Sequence, residues 1–375
     1  MDAVHSIDEL LSGMDALSAS DLHVAAGSPP VVRVNGELVP LDERPAFTPD
    51  DTQQLLYRIL STEQQKRLEV ERQIDISYAI SGVARFRVNV FFQRNAVGAA
   101  FRLIPYKIRT LEELGLPSVL HELTQRPRGL VLVTGPTGSG KSTTLAAMID
   151  EINRTRAGHI LTIEDPIEFL HKHRKCLVNQ REIGNDARGF ADALRAGLRQ
   201  DPDVILLGEM RDLETISTAL TAAETGHLVF ATLHTRGAAS TIDRVIDVFS
   251  AEQQAQVRAQ LAAALEGVVT QTLLPTADGR GRIAALEIML PDYAVRNLIR
   301  QRKLEQIYSV MQTGTSRGMQ TLEQALAELV LRGTISTAAA VESSSYPEQL
   351  LGLLGRTANG ASDYATAADL RLAGS

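Results

Sequence analysis

Residues Gly135 to Ser142 read GPTGSGKS and have the types and spacing of a phosphate-binding loop. Glycines in such a loop let successive backbone N–H groups close around phosphate oxygens. Lys141 brings a positive charge to the β- and γ-phosphates, and the hydroxyl of Ser142 is a ligand for Mg²⁺. The pattern therefore predicts a site for ATP with Mg²⁺. Its residues are Gly135, Pro136, Thr137, Gly138, Ser139, Gly140, Lys141, Ser142 and Thr143.

Two carboxylates follow apolar runs downstream of this loop. Glu164 comes directly after His159 to Ile163, and Glu209 follows Val204 to Gly208. In a doubly wound sheet, ligands lie at the carboxyl ends of the strands. Nucleotide hydrolysis needs an acid there to orient water and a metal to spread charge. Each acid taken alone is also compatible with a charged residue that merely ends a strand. The presence of both favours a catalytic pair, with Glu209 linked to Mg²⁺.

A histidine ends a third apolar run, which extends from His227 to His234. His234 either contacts the γ-phosphate or satisfies a local carbonyl, and the sequence leaves both open. We include it among the candidate catalytic residues with Glu164, Glu209 and Lys141. His227 precedes the same strand, so it lies at the opposite edge of the sheet and is the weaker candidate.

The elements that must position these residues are strands alternating with helices. Gly129 to Thr134 is an apolar run with the length of a buried strand, and apolar residues recur at helical spacing after the loop. This alternation continues from Leu111 onward and predicts an α/β domain with a mainly parallel sheet. Further along, one long helix is predicted from a stripe of apolar residues, Val257, Leu261, Leu265 and Val268.

The N-terminal part predicts a separate domain with an antiparallel hairpin between Ala84 and Pro105. Alternating residues place Phe86, Val88 and Val90 on one face and arginines on the other. These arginines either form a solvated sheet face or approach the phosphates of a nucleotide held elsewhere. The expected domains are residues 1–107, residues 108–335 and a loosely ordered tail at 336–375, rich in Ala, Ser and Gly.

The amino-acid composition argues against several classes of protein and of binding site. The 375 residues are 44% hydrophobic and 22% charged, and the formal net charge of −7 gives no overall basic excess for direct nucleic-acid binding. One cysteine, Cys176, allows neither an internal disulfide nor a multi-cysteine zinc site. No apolar run approaches ~20 residues. We therefore expect a cytoplasmic protein without membrane insertion.

Together these motifs resemble those of the secretion-ATPase superfamily, which powers type II and type IV secretion and type IV pili. The matching segments are Gly135 to Thr143, Thr162 to Glu168, Gly208 to Asp212 and Gly226 to Thr235. Other segments narrow the resemblance to the branch that retracts type IV pili. They are Ser20 to His23, Arg85 to Asn89, Cys176 to Glu182 and Ala294 to Arg300.

The resemblance implies a homohexameric ring, in which each subunit pairs a PAS-like α+β N-terminal domain with a RecA-like ATPase domain. ATP would lie between these domains. The arginines approaching its phosphates would come from Arg85, Arg87, Arg94 and Arg102. The implied activity is an ATPase motor for pilus disassembly and twitching motility. It would dock on a platform protein at the inner face of the cytoplasmic membrane.

Related functions stay open at this stage. An ATPase for secretion or pilus extension has the same chemistry, although extension ATPases usually carry an extra N-terminal domain and a four-cysteine zinc site. A nucleic-acid translocase is a third possibility, which the acidic balance disfavours.

The segment Ala294 to Arg300 resembles a motif that is characteristic of retraction ATPases. Gln301 departs from it, because the family has glutamate there. The segment predicts a short amphipathic helix that couples hydrolysis to retraction. Its candidate coupling residues are Val295, Arg296, Leu298, Ile299 and Arg300.

Overall fold

The computed structural model describes residues 6–17, 19–34, 37–41, 45–80, 84–104 and 108–358. They form two compact units. The first covers the described residues up to Ile108 together with Glu168–Leu170, and the second covers Arg109–Ile167 and the described residues from His171 onward. None of the helices in these ranges combines the length and the apolar character that crossing a bilayer requires.

The first unit is a six-stranded antiparallel sheet with three helices. The helices are α1 (Ile7–Ala16), α2 (Pro49–Tyr57) and α3 (Thr62–Glu71). The strands are β1 (Ala19–Val24), β2 (Val31–Val34), β3 (Glu37–Pro40), β4 (Gln73–Ile80), β5 (Ala84–Gln93) and β6 (Ala96–Ile104). They are ordered β3-β2-β1-β6-β5-β4.

The predicted hairpin is confirmed as β5 and β6. Phe86, Val88 and Val90 are buried on one face, as the alternation requires. Arg94 and Asn95 form the two-residue turn, with φ of 49° and 62°. Positive φ at both turn positions matches the right-handed twist of the paired strands.

The second unit is built on a seven-stranded sheet. Its strands are β7 (Gly129–Thr134), β8 (Gly158–Glu164), β9 (Cys176–Glu182), β10 (Val204–Leu207), β11 (Leu228–Leu233), β12 (Leu265–Pro275) and β13 (Arg282–Met289). The order is β13-β12-β7-β11-β10-β8-β9, and only β13 runs antiparallel to its neighbour. The predicted α/β class with a mainly parallel sheet is therefore confirmed.

Helices cover both faces of this sheet. They are α4 (Val119–Thr124), α5 (Lys141–Thr155), α6 (Phe190–Gly197), α7 (Leu213–Glu224), α8 (Ala238–Asp247), α9 (Gln254–Ala264), α10 (Tyr293–Gln301) and α11 (Ile307–Thr313). Alternate residues of β7 enter different cores. Leu130 and Leu132 pack on the side of α6 to α11, whereas Val131 and Val133 pack on the side of α4 and α5. Burial on both faces explains why the strand is continuously apolar.

Two sequence predictions are wrong in this unit. The stripe at 257–268 is not one helix, because α9 ends at Ala264 and Leu265 begins β12. The tail is not loosely ordered at residues 337–358, because α12 (Leu322–Leu331) is followed there by α13 (Thr337–Ser343) and α14 (Pro347–Ala358). Ala340 and Leu350 are buried against α12 and the β12–β13 pair, and this packing stabilises helices whose composition alone predicts little order. Residues 359–375 lie outside the described residues.

Candidate functional site

The phosphate loop connects β7 to α5, as predicted. Gly135, Gly138 and Gly140 have φ of 137°, 78° and 89°, which non-glycine residues rarely adopt. A Cβ on Gly135 would also lie 2.3 Å from the backbone oxygen of Gln271. Glycine is therefore required at position 135 by both its conformation and its neighbour.

Lys141 begins α5 and is only 8% exposed. Its ammonium donates to the carbonyl oxygens of Gly135 at 2.9 Å and Pro136 at 3.0 Å. The charge therefore lies over the first residues of the loop. Ser142 and Thr143 follow in the first turn of the helix and are half-buried. The loop amides, the ammonium of Lys141 and the N-terminus of α5 together provide the donors that a nucleotide phosphate requires.

Gln271 is part of this site, although the sequence analysis did not single it out. It lies on β12, and its Nε2 donates to the carbonyl oxygen of Ser139 at 2.7 Å. Its Oε1 accepts from Oγ1 of Thr144 at 2.7 Å. The signal available in the sequence was the polar run Thr270 to Thr272, which interrupts the apolar residues of β12.

The two predicted acids lie at the same sheet edge as the loop. The register pairs Leu207 with both Ile163 and Ala231, so Glu164 at the end of β8 and Glu209 after β10 leave the sheet together. Glycine at position 208 allows this close approach, since a Cβ there would lie 3.2 Å from Cα of Glu164.

Glu164 is held by neighbours on its own side of the sheet. Its Oε1 accepts from Oγ1 of Thr162 at 2.6 Å and from Nε2 of Gln180 at 3.2 Å. These bonds fix the direction of the carboxylate, which an acid that orients water requires.

Glu209 contacts Arg211 and His234. The Nε2 atom of His234 lies 3.1 Å from Oε1 of Glu209, in an ion pair when the imidazole is protonated. Partial burial raises the pKa of Glu209, but the hydrogen bond from Arg211 and the attraction of His234 outweigh burial and hold this pKa below its usual range. The carboxylate is thus ionised at neutral pH, as a metal ligand must be.

The four candidate arginines belong to the first unit, where Arg85, Arg87 and Arg102 lie on one face of the sheet. Arg87 pairs directly with Arg102 across the β5–β6 ladder. Nε of Arg102 is 2.9 Å from Oδ1 of Asp21, so this guanidinium is already engaged within its own sheet. Arg94 lies in the turn.

The predicted coupling helix is α10. Val295 and Ile299 are fully buried, and Leu298 packs on the same core. Arg296, a candidate coupling residue, binds groups outside α10. Its guanidinium donates to the carbonyl oxygens of Pro291, Ala262 and Ala263 and pairs with Glu266 at 3.0 Å. Arg300 is exposed.

Comparisons with known proteins agree with this arrangement. The family model for type II/IV secretion system proteins matches residues 4–280. The chain is 55% identical over 342 residues to the type IV pilus retractation ATPase PilT of Pseudomonas aeruginosa, which covers 91% of this chain and 99% of that relative. It is 48% identical over 346 residues to a twitching motility protein of Neisseria gonorrhoeae, which covers 92% of each.

A solved structure is similar as well. The crystal structure of the pilus retraction motor PilT with bound ADP matches with a TM-score of 0.88 and 52% identity, over 93% of this chain and 99% of that one. The resemblance to the pilus-retraction branch is thereby confirmed. The chain belongs to the family of type II/IV secretion system proteins, among its ATPases.

Proposed function

We propose that this protein is the ATP-hydrolysing motor that retracts type IV pili. The observation that carries the proposal is the meeting of Lys141, Glu164 and Glu209 at one edge of the parallel sheet. The relatives that align over nine-tenths of the chain are a pilus retraction ATPase and a twitching motility protein.

In this function, the loop amides and Lys141 hold the phosphates of ATP. The hydroxyl of Ser142 and the carboxylate of Glu209 would hold Mg²⁺, which would supply positive charge to the phosphates. Glu164 orients the attacking water and accepts its proton, while His234 orients Glu209. Arg85, Arg87, Arg94 and Arg102 of the N-terminal domain are the candidates for supplying positive charge to the phosphates, and of these Arg102 is already paired with Asp21.

The working assembly that we propose is a homohexameric ring of PAS-like and RecA-like domains. It docks on the platform protein of the pilus at the inner face of the cytoplasmic membrane. Retraction is favoured over extension by the motif at Ala294 to Arg300, which resembles that of retraction ATPases and lies on α10, and by the two relatives named above. The net charge of −7 argues against a nucleic-acid substrate.

The function is tested by deleting the gene and restoring it as wild type, Lys141→Ala or Lys172→Ala. We expect excess surface pili and lost twitching in the deletion strain, with rescue by wild type and by Lys172→Ala, which changes a lysine outside the loop. Lys141→Ala should fail to rescue. Cells without pili would instead indicate an extension motor, and unchanged pili would indicate a different machine; either result contradicts the proposal.

A further inference from the structure

The side chain of Gln271 on β12 forms hydrogen bonds to the phosphate loop and to the helix that follows it. Its side chain is 2% exposed, and both ends of its amide are used: Nε2 by the carbonyl of Ser139 and Oε1 by the hydroxyl of Thr144, each at 2.7 Å. One side chain thus holds the last part of the loop and the first turn of α5.

The glycines of the loop pack against the same residue. A Cβ on Gly140 would lie 2.7 Å from Nε2 of Gln271, and a Cβ on Gly135 would lie 2.3 Å from its backbone oxygen. The hydroxyls of Thr134 and Thr270 are 2.9 Å apart, which ties the end of β7 to the middle of β12. Both the start and the end of the loop therefore pack against β12.

The bond to Ser139 determines the direction of one loop amide. The peptide unit is planar and trans, so its C=O and N–H groups point to opposite sides. Because the Ser139 carbonyl points at Gln271, the N–H of Gly140 points away from β12. This peptide joins Ser139 to Gly140, and Gly138 precedes it. Glycine restricts the backbone dihedral angles little. The amide of Gln271 therefore restrains this peptide in addition to the bond within the loop from the amide of Ser139 to the carbonyl of Pro136.

We propose that Gln271 is a positioning residue that preorganises the phosphate loop for nucleotide binding; this rests on the nucleotide site proposed above. The role requires a donor and an acceptor on one side chain, which an amide has and a carboxylate lacks. Glutamate of the same shape would turn an oxygen toward the Ser139 carbonyl, and leucine would leave that carbonyl without a donor.

The test compares Gln271→Leu and Gln271→Glu with Gln320→Leu in the purified full chain. Gln320 is a matched control, since its Nε2 donates to a backbone carbonyl, that of Leu286, at 3.0 Å. The readouts are the Kd for ADP, KM and kcat for ATP, and hydrogen exchange at Ser139, Gly140 and Lys141 without nucleotide.

We expect both Gln271 variants to raise the Kd for ADP and the KM about five- to tenfold, the effect of about one lost hydrogen bond. The change in kcat should be smaller, because preorganisation serves ground-state and transition-state binding alike. Amide exchange in the loop should accelerate in these variants and not in Gln320→Leu.

Unchanged ADP affinity and loop exchange in Gln271→Leu, or equal changes in Gln320→Leu, would overturn the proposal. If the Gln271 variants fold poorly, Thr144→Val replaces them, with Thr144→Ser as the variant that should restore affinity. If Thr144→Val and Thr144→Ser have the same affinity for ADP, the proposed role of Gln271 is refuted as well. A wild-type protein that does not bind ADP would instead refute the nucleotide site itself.

Discussion

Oε1 of Glu209 lies 3.1 Å from Nε2 of His234, and this pair joins the ends of two neighbouring parallel strands. Arg211 contacts the same carboxylate from the solvent side. Partial burial works against ionisation of Glu209, but Arg211 and His234 together keep its pKa below the usual range. The arrangement holds an ionised acid in one orientation at the edge where the phosphate loop emerges.

Removing either the loop lysine or this acid should abolish turnover. We expect Lys141→Ala and Glu209→Gln to lower kcat by at least about a hundredfold, because Lys141 brings positive charge to the phosphates and Glu209 is the acid assigned to Mg²⁺. Glu214→Gln is the control, as Glu214 is an exposed acid on α7. The measurement is phosphate release by purified protein. Substantial residual activity in either site variant would contradict the assignment.

His234→Ala should lower kcat about tenfold while changing ADP affinity little, since the histidine acts through Glu209. His234 lowers the pKa of Glu209, so its loss should let that pKa rise. The acid limb of the pH–rate profile should therefore move to higher pH. His159→Ala is the control, because His159 lies at the start of β8, away from this edge. An unmoved acid limb in His234→Ala would exclude the proposed orienting role.

Leu298→Ala on α10 should separate hydrolysis from movement. Leu298 packs on the core of its own unit, and so does Val310 on α11. Truncation of either side chain removes apolar contacts with this core. The loss in the free energy of unfolding is about 2–5 kcal/mol for a fully buried leucine and smaller for a partly buried side chain. We expect Leu298→Ala to keep ATPase activity but lose twitching, whereas Val310→Ala keeps both. A stably folded Leu298→Ala protein with normal retraction would refute the coupling role of α10.

Arg296→Ala should destabilise the protein, whereas Arg300→Ala on the same helix should not. Arg296 donates to carbonyls at the end of α9 and pairs with Glu266, so its removal leaves acceptors without donors. We expect a loss of about 1–3 kcal/mol in the free energy of unfolding. Exposed Arg300 should change it by about 0.5 kcal/mol or less. Urea unfolding followed by circular dichroism measures both, and equal effects would contradict this difference.

Glu287 on β13 should make stability depend on pH. Burial, helped by the nearby negative charge of Glu323, raises the pKa of Glu287 to about 7. The hydrogen bond that Glu287 accepts from the amide of Ala238 at the start of α8 opposes this rise. Because the pKa of Glu287 is higher in the folded state than in the unfolded state, its contribution to the free energy of unfolding is fully present at low pH. This contribution is lost as the pH rises through about 7.

Glu287→Gln stays neutral, so it should raise the melting temperature relative to wild type more at about pH 8 than at about pH 5. Glu328→Gln, which changes an exposed acid on α12, should show no such difference. Thermal unfolding at the two pH values measures the effect. An equal shift of Glu287→Gln at both would show that ionisation of this carboxyl does not oppose folding.

The local parts of the site could be predicted from the order of amino acids alone. Gly135 to Ser142, the strand before it and the helix after it are covalently continuous, and their periodicities are visible in the chain. Glu164, Glu209 and His234 were predicted together for one general reason, since parallel strands bring their carboxyl ends to the same edge. The alternating faces of β5 and β6 followed from the period of a strand.

The distant groups that complete the site could not be predicted, because long-range packing brings them together. Gln271 is 132 residues from Ser139, and no local pattern relates a single amide on β12 to a loop after β7. Likewise, a helical spacing of apolar residues did not reveal that Leu265 begins a strand, because a buried strand and a buried helix are both apolar. The order of α13 and α14 depends on packing against α12 and the β12–β13 pair, a stabilisation that composition does not contain.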